Sequence, residues 1–313
     1  MNVKEKIALL AMQRYSWEQG TAMQAFLEAG DMDVVIPMAY EAVYRSIPDG
    51  RTAQMGDSVS VTDPCSTGEA ILETYRATGD ERLKNGLEKL KNWALYTAPR
   101  SEKGIVYHVM NAPEFWSDSL YMLPPFLAAI GEYEESLKQI YGYLNALMDP
   151  ERYLISHRWD EGKQKFIRQA FWGTGNGWTL AGLARVIDAL PDSYDGEKKK
   201  LIDIAVKILD SMLLHMREDG LFYDVLDDSS TFVETNCAQM TAYTIYRGIK
   251  SGWLSKTYLD VANKMRVAAK KKTDKYGRVH EACGAPHFDK SGESPEANAF
   301  AILMDTAAEK LYI

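Results

Sequence analysis

Apolar residues recur at a spacing close to 3.6 along most of the chain, which predicts a largely helical protein. Short connectors interrupt this pattern. In each connector a Gly or Pro ends one helix, and an acidic or polar residue can begin the next. The connectors are 29–31, 78–80, 130–132, 191–196 and 250–252. Because each one joins two helical stretches, each marks a hairpin of two antiparallel helices.

Longer loops separate the hairpins and resemble one another. The stretches PDGRT (48–52), EKGIVYH (102–108), EDGLFYD (218–224) and KYGRVHE (275–281) each place Gly in a tight turn before a short β-like run. First helices of the hairpins are therefore predicted to begin, about 50–60 residues apart, near Trp17, Ser66, Glu114, Gly173, Thr231 and Pro295. Second helices are predicted over 32–47, 80–97, 132–148, 196–216 and 254–271, with 2–14 as the sixth partner.

Polarity separates the two sets of helices. First helices such as GNGWTLAGLARVIDAL (175–190) are apolar or small nearly all round, whereas second helices are richer in Lys and Glu. The first set is therefore predicted inside and the second set outside. This repeat predicts an all-α protein with one domain over residues 1–313, an (α/α)6 barrel of six helical hairpins with all the long loops at one end. An open solenoid is the alternative, and the N-terminal helix that completes the sixth pair favours a ring.

Composition and charge narrow the possible functions. The chain is 46% apolar and its net charge is −8 with both signs interspersed, so no nucleic-acid partner is expected. No apolar run approaches the ~20 residues that span a bilayer, so no membrane partner is expected, and the N-terminus lacks the usual apolar segment of a secretory signal. Cys65, Cys237 and Cys283 lie far apart without a CxxC spacing, so we expect free thiols and a cytoplasmic location. No HExxH or comparable spacing exists, so no metal site is expected.

The residues suited to binding and catalysis fall mostly in the long loops or in the first turn of an inner helix. Loops held on a rigid scaffold favour binding residues, and tryptophans at the mouth of a cavity stack well on sugar rings. The residues concerned are Asp63, His108, Trp116, His157, Trp159, Trp172, His280 and His287. His108 and His157 could also be satisfied core groups.

Asp118 is the single charge in FWSDSLYMLPPFLAAIG (115–131). With Asn111 as N-cap and Glu114 completing a capping box, Asp118 is expected about two turns into a helix, which Pro124 and Pro125 then kink or shorten. Two interpretations remain open. The acid is either paired with an unseen Arg or the backbone, or it is kept protonated by its apolar neighbours and serves as a proton donor.

Two further motifs carry candidate residues. Asp63 occupies the same position on the neighbouring inner helix, either as a turn or N-cap residue or as the second carboxyl group of a sugar-active pair. The stretch FWGTGNGW (171–178) has two tryptophans six residues apart with three glycines between them. It is either a tightly packed helix start or a place where the backbone approaches a ligand, with Asn176 as a polar contact.

Taken together, SWEQGTAMQAF, FWSDSLYM, HRWD…FWGTGNGWTLAGLARVIDALP and GAPHFDKSGESPEANAFAILM resemble motifs of the unsaturated glucuronyl and rhamnogalacturonyl hydrolases, glycoside hydrolase families 88 and 105. Family 105 is the closer fit, and the resemblance extends from Trp17 to Met304. It implies that residues 1–313 are one catalytic domain, an (α/α)6 barrel whose long loops form the active-site face. Such an enzyme removes a Δ4,5-unsaturated uronic acid from the non-reducing end of oligosaccharides made by a lyase. In this family an aspartic acid protonates the vinyl ether at C4 and water adds at C5. The resemblance implies no metal or organic cofactor.

The same resemblance assigns roles by motif. The general acid falls on Asp118 and the second essential aspartate on Asp63. The substrate-binding positions fall on Trp17, His108, Trp116, His157, Trp172 and Trp178, beside the candidate Asn176.

One position departs from the family pattern. Many relatives carry Arg between the two tryptophans, where it can pair with the substrate carboxylate, and this chain has Thr174. Either another group, such as Arg168 or a loop histidine, binds the carboxylate instead, or recognition is weaker or uses hydroxyl groups. The competing functions are a hydrolase of saturated glycosides with Asp118 and Asp63 as an acid/base pair, and a carbohydrate-binding protein without catalysis. The oligomeric state and the leaving sugar stay open.

Overall fold

Helices dominate the computed structural model, which describes residues 2–54 and 59–312. The α-helices are α1 Val3–Met12, α2 Ser16–Glu28, α3 Met32–Tyr44, α4 Gly68–Thr78, α5 Glu81–Asn92, α6 Ser119–Met122, α7 Pro124–Ala129, α8 Tyr133–Leu147, α9 Gly173–Ala189, α10 Asp195–Leu213, α11 Asn236–Lys250, α12 Leu259–Lys270 and α13 Pro295–Lys310. The strands are β1 Glu114–Trp116, β2 Arg158–Asp160, β3 Lys165–Arg168, β4 Phe222–Val225 and β5 Asp228–Glu234. Within the two described ranges, no helix is both long enough and apolar enough to cross a membrane.

The chain divides into two compact units. Unit A comprises residues 13–148 and 157–169, and unit B comprises residues 1–12, 149–156 and 170–313. The expectation of one catalytic domain over residues 1–313 stays a prediction.

Unit A contains three helical hairpins and a small sheet. Helices α2 and α3, α4 and α5, and α7 and α8 pack as consecutive pairs. The sheet has the order β1-β2-β3 with antiparallel neighbours, and Phe115 pairs with Trp159, which in turn pairs with Phe166. It is built from the two long loops that follow α5 and α8, which brings the candidate residues of these loops together.

Unit B contains the other helix pairs. Helices α9 and α10 form one pair, α11 and α12 a second, and α13 contacts α1. Strands β4 and β5 form an antiparallel hairpin. The core of unit B includes edge-to-face contacts of Phe300 with Trp178 and Tyr243, at 5.4 and 5.6 Å between ring centroids. Phe300 of α13 therefore contacts one aromatic side chain from α9 and one from α11 in this core.

The predicted contrast between first and second helices is confirmed within unit B. Every residue of α9 from Gly173 to Ile187 is buried. Helix α10 buries only Leu201, Ala205, Ile208, Leu209 and Met212. These lie on one face at helical spacing and leave the charged residues of α10 in water. The apolar pattern thus distinguishes an inner helix from a surface helix.

The second helices also begin and end close to the predicted residues, and 2–14 forms α1 as expected. Their boundaries are set by local signals. In one connector, Gly79 adopts φ +68° and donates its N–H to the Tyr75 carbonyl, while Asp80 caps α5 through the Arg82 N–H. Glycine tolerates this left-handed conformation and Asp is a favourable N-cap, so the sequence alone marks the boundary.

Two predicted helix starts are wrong. Glu114 lies in β1 and Thr231 in β5, and the corresponding helices begin later, at Ser119 and Asn236. The capping box proposed for Asn111 and Glu114 is therefore absent. The reason is that strand pairing with distant residues overrides the local helix signal. A smaller difference occurs near Ser66, where a 3-10 helix, Asp63–Thr67, precedes α4.

Candidate active site

Asp118 lies in the turn between β1 and α6. The Ser117 N–H donates to the His157 carbonyl at 3.0 Å, which ties this turn to the loop before β2. The Asp118 carbonyl accepts the N–H groups of Tyr121 and Met122, so the residue begins α6 and does not lie two turns inside a helix. Its carboxyl group makes no capping bond to α6. The side chain is 17% exposed and therefore reachable from solvent.

Burial raises the pKa of the Asp118 carboxyl group, and the charge of Asp63 acts in the same direction. His108, the N–H of Asp118 and the Ser117 hydroxyl act in the opposite direction. The Ser117 hydroxyl donates to Oδ2 at 3.2 Å. Because burial is the largest of these influences, Asp118 keeps its proton to a higher pH than an exposed aspartate does.

Asp63 lies beside His108, whose charge also acts on Asp118. The Asp63 side chain is 6% exposed, and its Oδ1 lies 3.8 Å from His108 Nε2. His108 Nδ1 lies 2.8 Å from the Thr62 hydroxyl and 3.0 Å from the Ser119 hydroxyl. His108 therefore connects the segment that carries Asp63 with the start of α6, next to Asp118.

The indole of Trp116 packs on both site histidines. It stacks on the His108 ring at 4.4 Å and meets the His157 ring edge-on at 5.7 Å. Its Nε1 donates to Glu114 Oε2 at 2.7 Å, and Arg158 Nη2 donates to the same oxygen at 2.7 Å. The Arg158 guanidinium also lies 4.2 Å above the indole. Glu114 and Arg158 thus fix the orientation of Trp116.

His157 lies between Asp118 and Arg168. Its Nε2 is 3.7 Å from Asp118 Oδ2, and its Nδ1 is 2.9 Å from Arg168 Nη1. Burial lowers the pKa of His157 well below its usual value, and the charges of Arg168, Arg158 and His108 act in the same direction. His157 is therefore a neutral imidazole at neutral pH.

Trp17 belongs to the same unit. It lies near the start of α2, half-buried, and its ring stacks on Tyr15 at 4.3 Å. One turn further along α2, Gly20 packs against Ser66 of the 3-10 helix that begins with Asp63. Unit A therefore brings together Asp118, Asp63, His108, Trp116 and His157, with Trp17 on a helix that packs against the Asp63 segment.

Trp172, Asn176 and Trp178 lie in unit B. The Trp172 indole is buried and donates to Asp224 Oδ1 at 2.9 Å. Trp178 is buried in the contact with Phe300. These two indoles are anchored by other side chains of unit B.

Asn176 has its amide occupied by the main chain. Its Nδ2 donates to the carbonyls of Ile155 and Trp172, both at 2.9 Å, and its Oδ1 accepts the Ile155 N–H at 2.8 Å. With both N–H donors used, the side chain joins the loop at Ile155 to the start of α9. The polar contact with sugar expected for Asn176 stays a prediction.

Thr174 is also buried in unit B, and among the described residues its hydroxyl has no hydrogen-bond partner.

A family model matches most of this chain. The model is that of Glycosyl Hydrolase Family 88, and it covers residues 1–298. The chain belongs to this family. It is therefore a glycoside hydrolase, and the interpretation as a carbohydrate-binding protein without catalysis is set aside.

Among curated proteins, this member of family 88 is similar to the unsaturated rhamnogalacturonyl hydrolase YesR of Bacillus subtilis. The two are 25% identical over 303 residues, which cover 89% of this chain and 82% of the relative.

Solved structures show the fold. A possible GH105 member from Klebsiella pneumoniae has a TM-score of 0.83 at 21% identity, covering 95% of this chain and 83% of that chain. A family 105 glycoside hydrolase from C. acetobutylicum has a TM-score of 0.82 at 18% identity, covering 95% of this chain and 94% of that chain. These structures have the (α/α)6 fold, which confirms the predicted fold class.

Several site residues of this family 88 enzyme were not evident from sequence patterns. Thr62 and Ser119 hold His108, and Ser117 bonds to Asp118. The available signal was a hydroxyl residue directly beside each acid, in the pairs Thr62-Asp63 and Ser117-Asp118. Hydroxyl side chains are common in loops, so this signal carries little weight without the fold.

Unit B also contains buried acids that the sequence did not single out, among them Glu234 and Asp224. Burial raises the pKa of Glu234 to about 7, against the opposing hydrogen bonds from the backbone. Its carboxyl oxygens accept the N–H groups of Cys237 at 2.6 Å and Cys283 at 3.0 Å. Asp224 accepts the Trp172 indole. Glu234 therefore holds the start of α11 to the loop before α13.

Proposed function

We propose that this enzyme removes a terminal Δ4,5-unsaturated uronic acid from the non-reducing end of oligosaccharides generated by a polysaccharide lyase. Asp118 is the general acid, and Asp63, His108, Trp116 and His157 surround the sugar. The observation that supports this most is the state of Asp118. Its carboxyl group is reachable, and its pKa is raised by burial. A carboxylic acid that keeps its proton to a higher pH than an exposed aspartate can deliver that proton to carbon.

The reaction begins with proton transfer from Asp118 to C4 of the vinyl ether, and the C4=C5 π electrons form the new C–H bond. The cation left at C5 is stabilised by the ring oxygen and by the nearby negative charge of Asp63. Water adds at C5 and gives up a proton, which restores the acid form of Asp118. The hemiketal opens to a ketone, and C1 then becomes an aldehyde as the leaving sugar departs with its glycosidic oxygen.

The relative YesR is named for unsaturated rhamnogalacturonyl substrates, so a uronate linked to rhamnose is the first substrate to test. The three cysteines are free and buried, which favours a reducing compartment, and the cytoplasmic location is part of this proposal.

The test is to supply purified protein with lyase-generated oligosaccharides and to follow the ultraviolet absorbance of the C4=C5 double bond. We expect this absorbance to fall, and in D2O we expect one solvent deuterium at C4 of the product at early times. Asp118→Asn is the control. Turnover confined to saturated glycosides would favour the acid/base pair of a conventional hydrolase instead.

A further inference from the structure

Arg168 is the last residue of β3 and reaches across the sheet to His157. Strands β2 and β3 are antiparallel, with Arg158 opposite Arg168 and a register shift between Arg158 and Trp159. Through this pairing, Arg168 Nη1 comes within 2.9 Å of His157 Nδ1. The contact joins the sheet to the imidazole that faces the acid.

This contact fixes the tautomer of His157. A guanidinium has only donors, so Nδ1 must be the acceptor and carries no hydrogen. In a neutral ring the hydrogen is therefore on Nε2, the nitrogen that faces Asp118 Oδ2 at 3.7 Å. The Ser117 hydroxyl donates to the same Oδ2.

The charges around both groups agree with this arrangement. Asp118 faces His108, Asp63 and His157, and the pKa of its carboxyl group is raised. His157 faces Asp118 through Nε2 and contacts Arg168 through Nδ1. Burial lowers the pKa of His157, and the charges of Arg168, Arg158 and His108 act in the same direction. A protonated His157 would place a positive charge beside Asp118 and favour its ionised form. A neutral His157 places no such charge there, so Asp118 can stay protonated.

We propose that Arg168 is a positioning residue that holds His157 as a neutral Nε2–H imidazole and thereby keeps Asp118 in its acid form. The part played by Asp118 rests on the proposed function, whereas the state of His157 does not. Arg168 acts through His157 and takes no part in the proton transfer itself.

The first test needs no substrate. Long-range 1H–15N correlation spectra of protein with 15N-labelled histidine report the tautomer and charge of each ring, and His157→Gln identifies the His157 signals. We expect the wild-type ring to be neutral with its hydrogen on Nε2 throughout pH 6–8. A hydrogen on Nδ1, or a ring that titrates near pH 6.5, would overturn the proposal even if the enzyme acts on unsaturated uronides.

The second test uses the pH profile. In Arg168→Met, His157 loses a nearby positive charge, so it takes up a proton more easily and lowers the pKa of Asp118. We expect the alkaline limb of the kcat/KM pH profile to move to lower pH by about one unit. A nearby positive charge lowers the pKa of an aspartate by at least about this amount. Arg168→Lys keeps both charge and donor and should restore the wild-type limb.

A matched control comes from the same strand. Lys165 is exposed at the other end of β3, and Lys165→Met removes the same charge without touching His157. We expect its pH profile to match wild type. If Arg168→Met instead raises KM and leaves the limb in place, Arg168 binds the substrate carboxylate directly and the positioning role is wrong.

Discussion

Asp118 and Asp63 are two carboxyl groups of one site that have different surroundings. The Asp118 carboxyl group faces the Ser117 hydroxyl and the neutral imidazole of His157, whereas the Asp63 carboxyl group faces His108 at 3.8 Å. Two nearby carboxylates disfavour being charged together, so the pair holds a proton to a higher pH than either acid would alone. Asp118, whose pKa is raised by burial, is the member that keeps it.

Asp118→Asn should separate activity from stability. We expect turnover of unsaturated uronides to fall by about 10²–10⁴-fold, the usual contribution of a general acid. Above pH 3.8, the ordinary aspartate pKa, Asp118 is ionised in the unfolded chain. In the folded protein the carboxyl group either stays protonated or ionises where burial disfavours the charge, and both lower the stability of the folded state. The variant should therefore unfold at a higher temperature than wild type at pH 7–8, with a difference that shrinks as pH falls. Calorimetry across pH 5–8 measures this.

Asp160 gives a control of opposite sign. Hydrogen bonds from the Lys163 side chain and N–H lower the pKa of Asp160. Its ionised form therefore stabilises the fold at pH 7, and Asp160→Asn should lower the unfolding temperature. If both variants shift in the same direction, the environments assigned to the two acids are wrong.

The sequence indicates Asp118 as the candidate acid, but it does not indicate which residues surround the acid and position it. A lone charge among apolar residues is a local pattern, and it directed attention to Asp118. The hydrogen bond between Thr62 and His108 joins residues 46 positions apart, so no local pattern predicts it. The roles assigned to Asp63, His108 and Trp116 stay predictions, although the structure brings these residues together.

The small sheet β1-β2-β3 is where sequence reasoning failed, and it carries Trp116 and positions the flanking residues Asp118 and His157. Residues 114–116 have a helix-like capping pattern, yet they pair with 158–160. This pairing depends on a segment more than 40 residues away, and strand preference is decided by such neighbours more than by the residues themselves. The consequence is functional, because a strand at 114–116 places Trp116 and Asp118 beside His157.

Glu114 should be the residue through which β1 and β2 hold Trp116. It accepts both the Trp116 indole and Arg158, so Glu114→Ala leaves a part-buried guanidinium without this partner and frees the indole. We expect a loss of about 1–3 kcal/mol in the free energy of unfolding, as for a hydrogen bond to a charged group. KM should rise as well. Denaturant unfolding and steady-state kinetics measure the two effects.

A similar pair on the same sheet provides the control. The Trp159 indole donates to Glu161 at 2.9 Å, also two residues apart, and packs on Phe166. Glu161→Ala should affect stability less and leave KM unchanged. An equal rise of KM in both variants would mean that Glu114 has no specific role at Trp116.

Two helix glycines should respond oppositely to the same substitution. A Cβ at Gly68, which begins α4, would overlap the buried ring of Phe126, so Gly68→Ala should destabilise the fold by about 1–3 kcal/mol through overpacking. A Cβ at Gly196, near the start of α10, would meet no described atom within 4 Å apart from its chain neighbours and its own helix backbone, so Gly196→Ala should stabilise the fold by about 0.4–1 kcal/mol. Denaturant midpoints measure both. A stabilising Gly68→Ala would contradict the packing of α4 on α7.

The hairpin repeat was predictable because its signals are local. Glycine and acidic residues in the connectors set the second helices, and the contrast between α9 and α10 follows from polarity alone. The two starts at Glu114 and Thr231 were missed because strands precede those helices. The choice between a closed (α/α)6 barrel and an open solenoid depends on contacts between distant repeats. That choice was decided by the likeness to solved structures, which covers 95% of this chain.

The net charge of −8 should oppose long anionic substrates. An oligosaccharide with several uronates is repelled by the net negative charge of the whole protein. A disaccharide with one carboxylate interacts mainly with the charged groups near the site. Screening lengths fall from about 30 Å at 10 mM salt to about 8 Å at 150 mM, so salt removes the long-range part first. We therefore expect kcat/KM for an unsaturated tetrasaccharide to rise about twofold over this range, with little change for the disaccharide. Steady-state kinetics at several ionic strengths measure both. A fall for the tetrasaccharide would instead show that a local positive surface dominates its association.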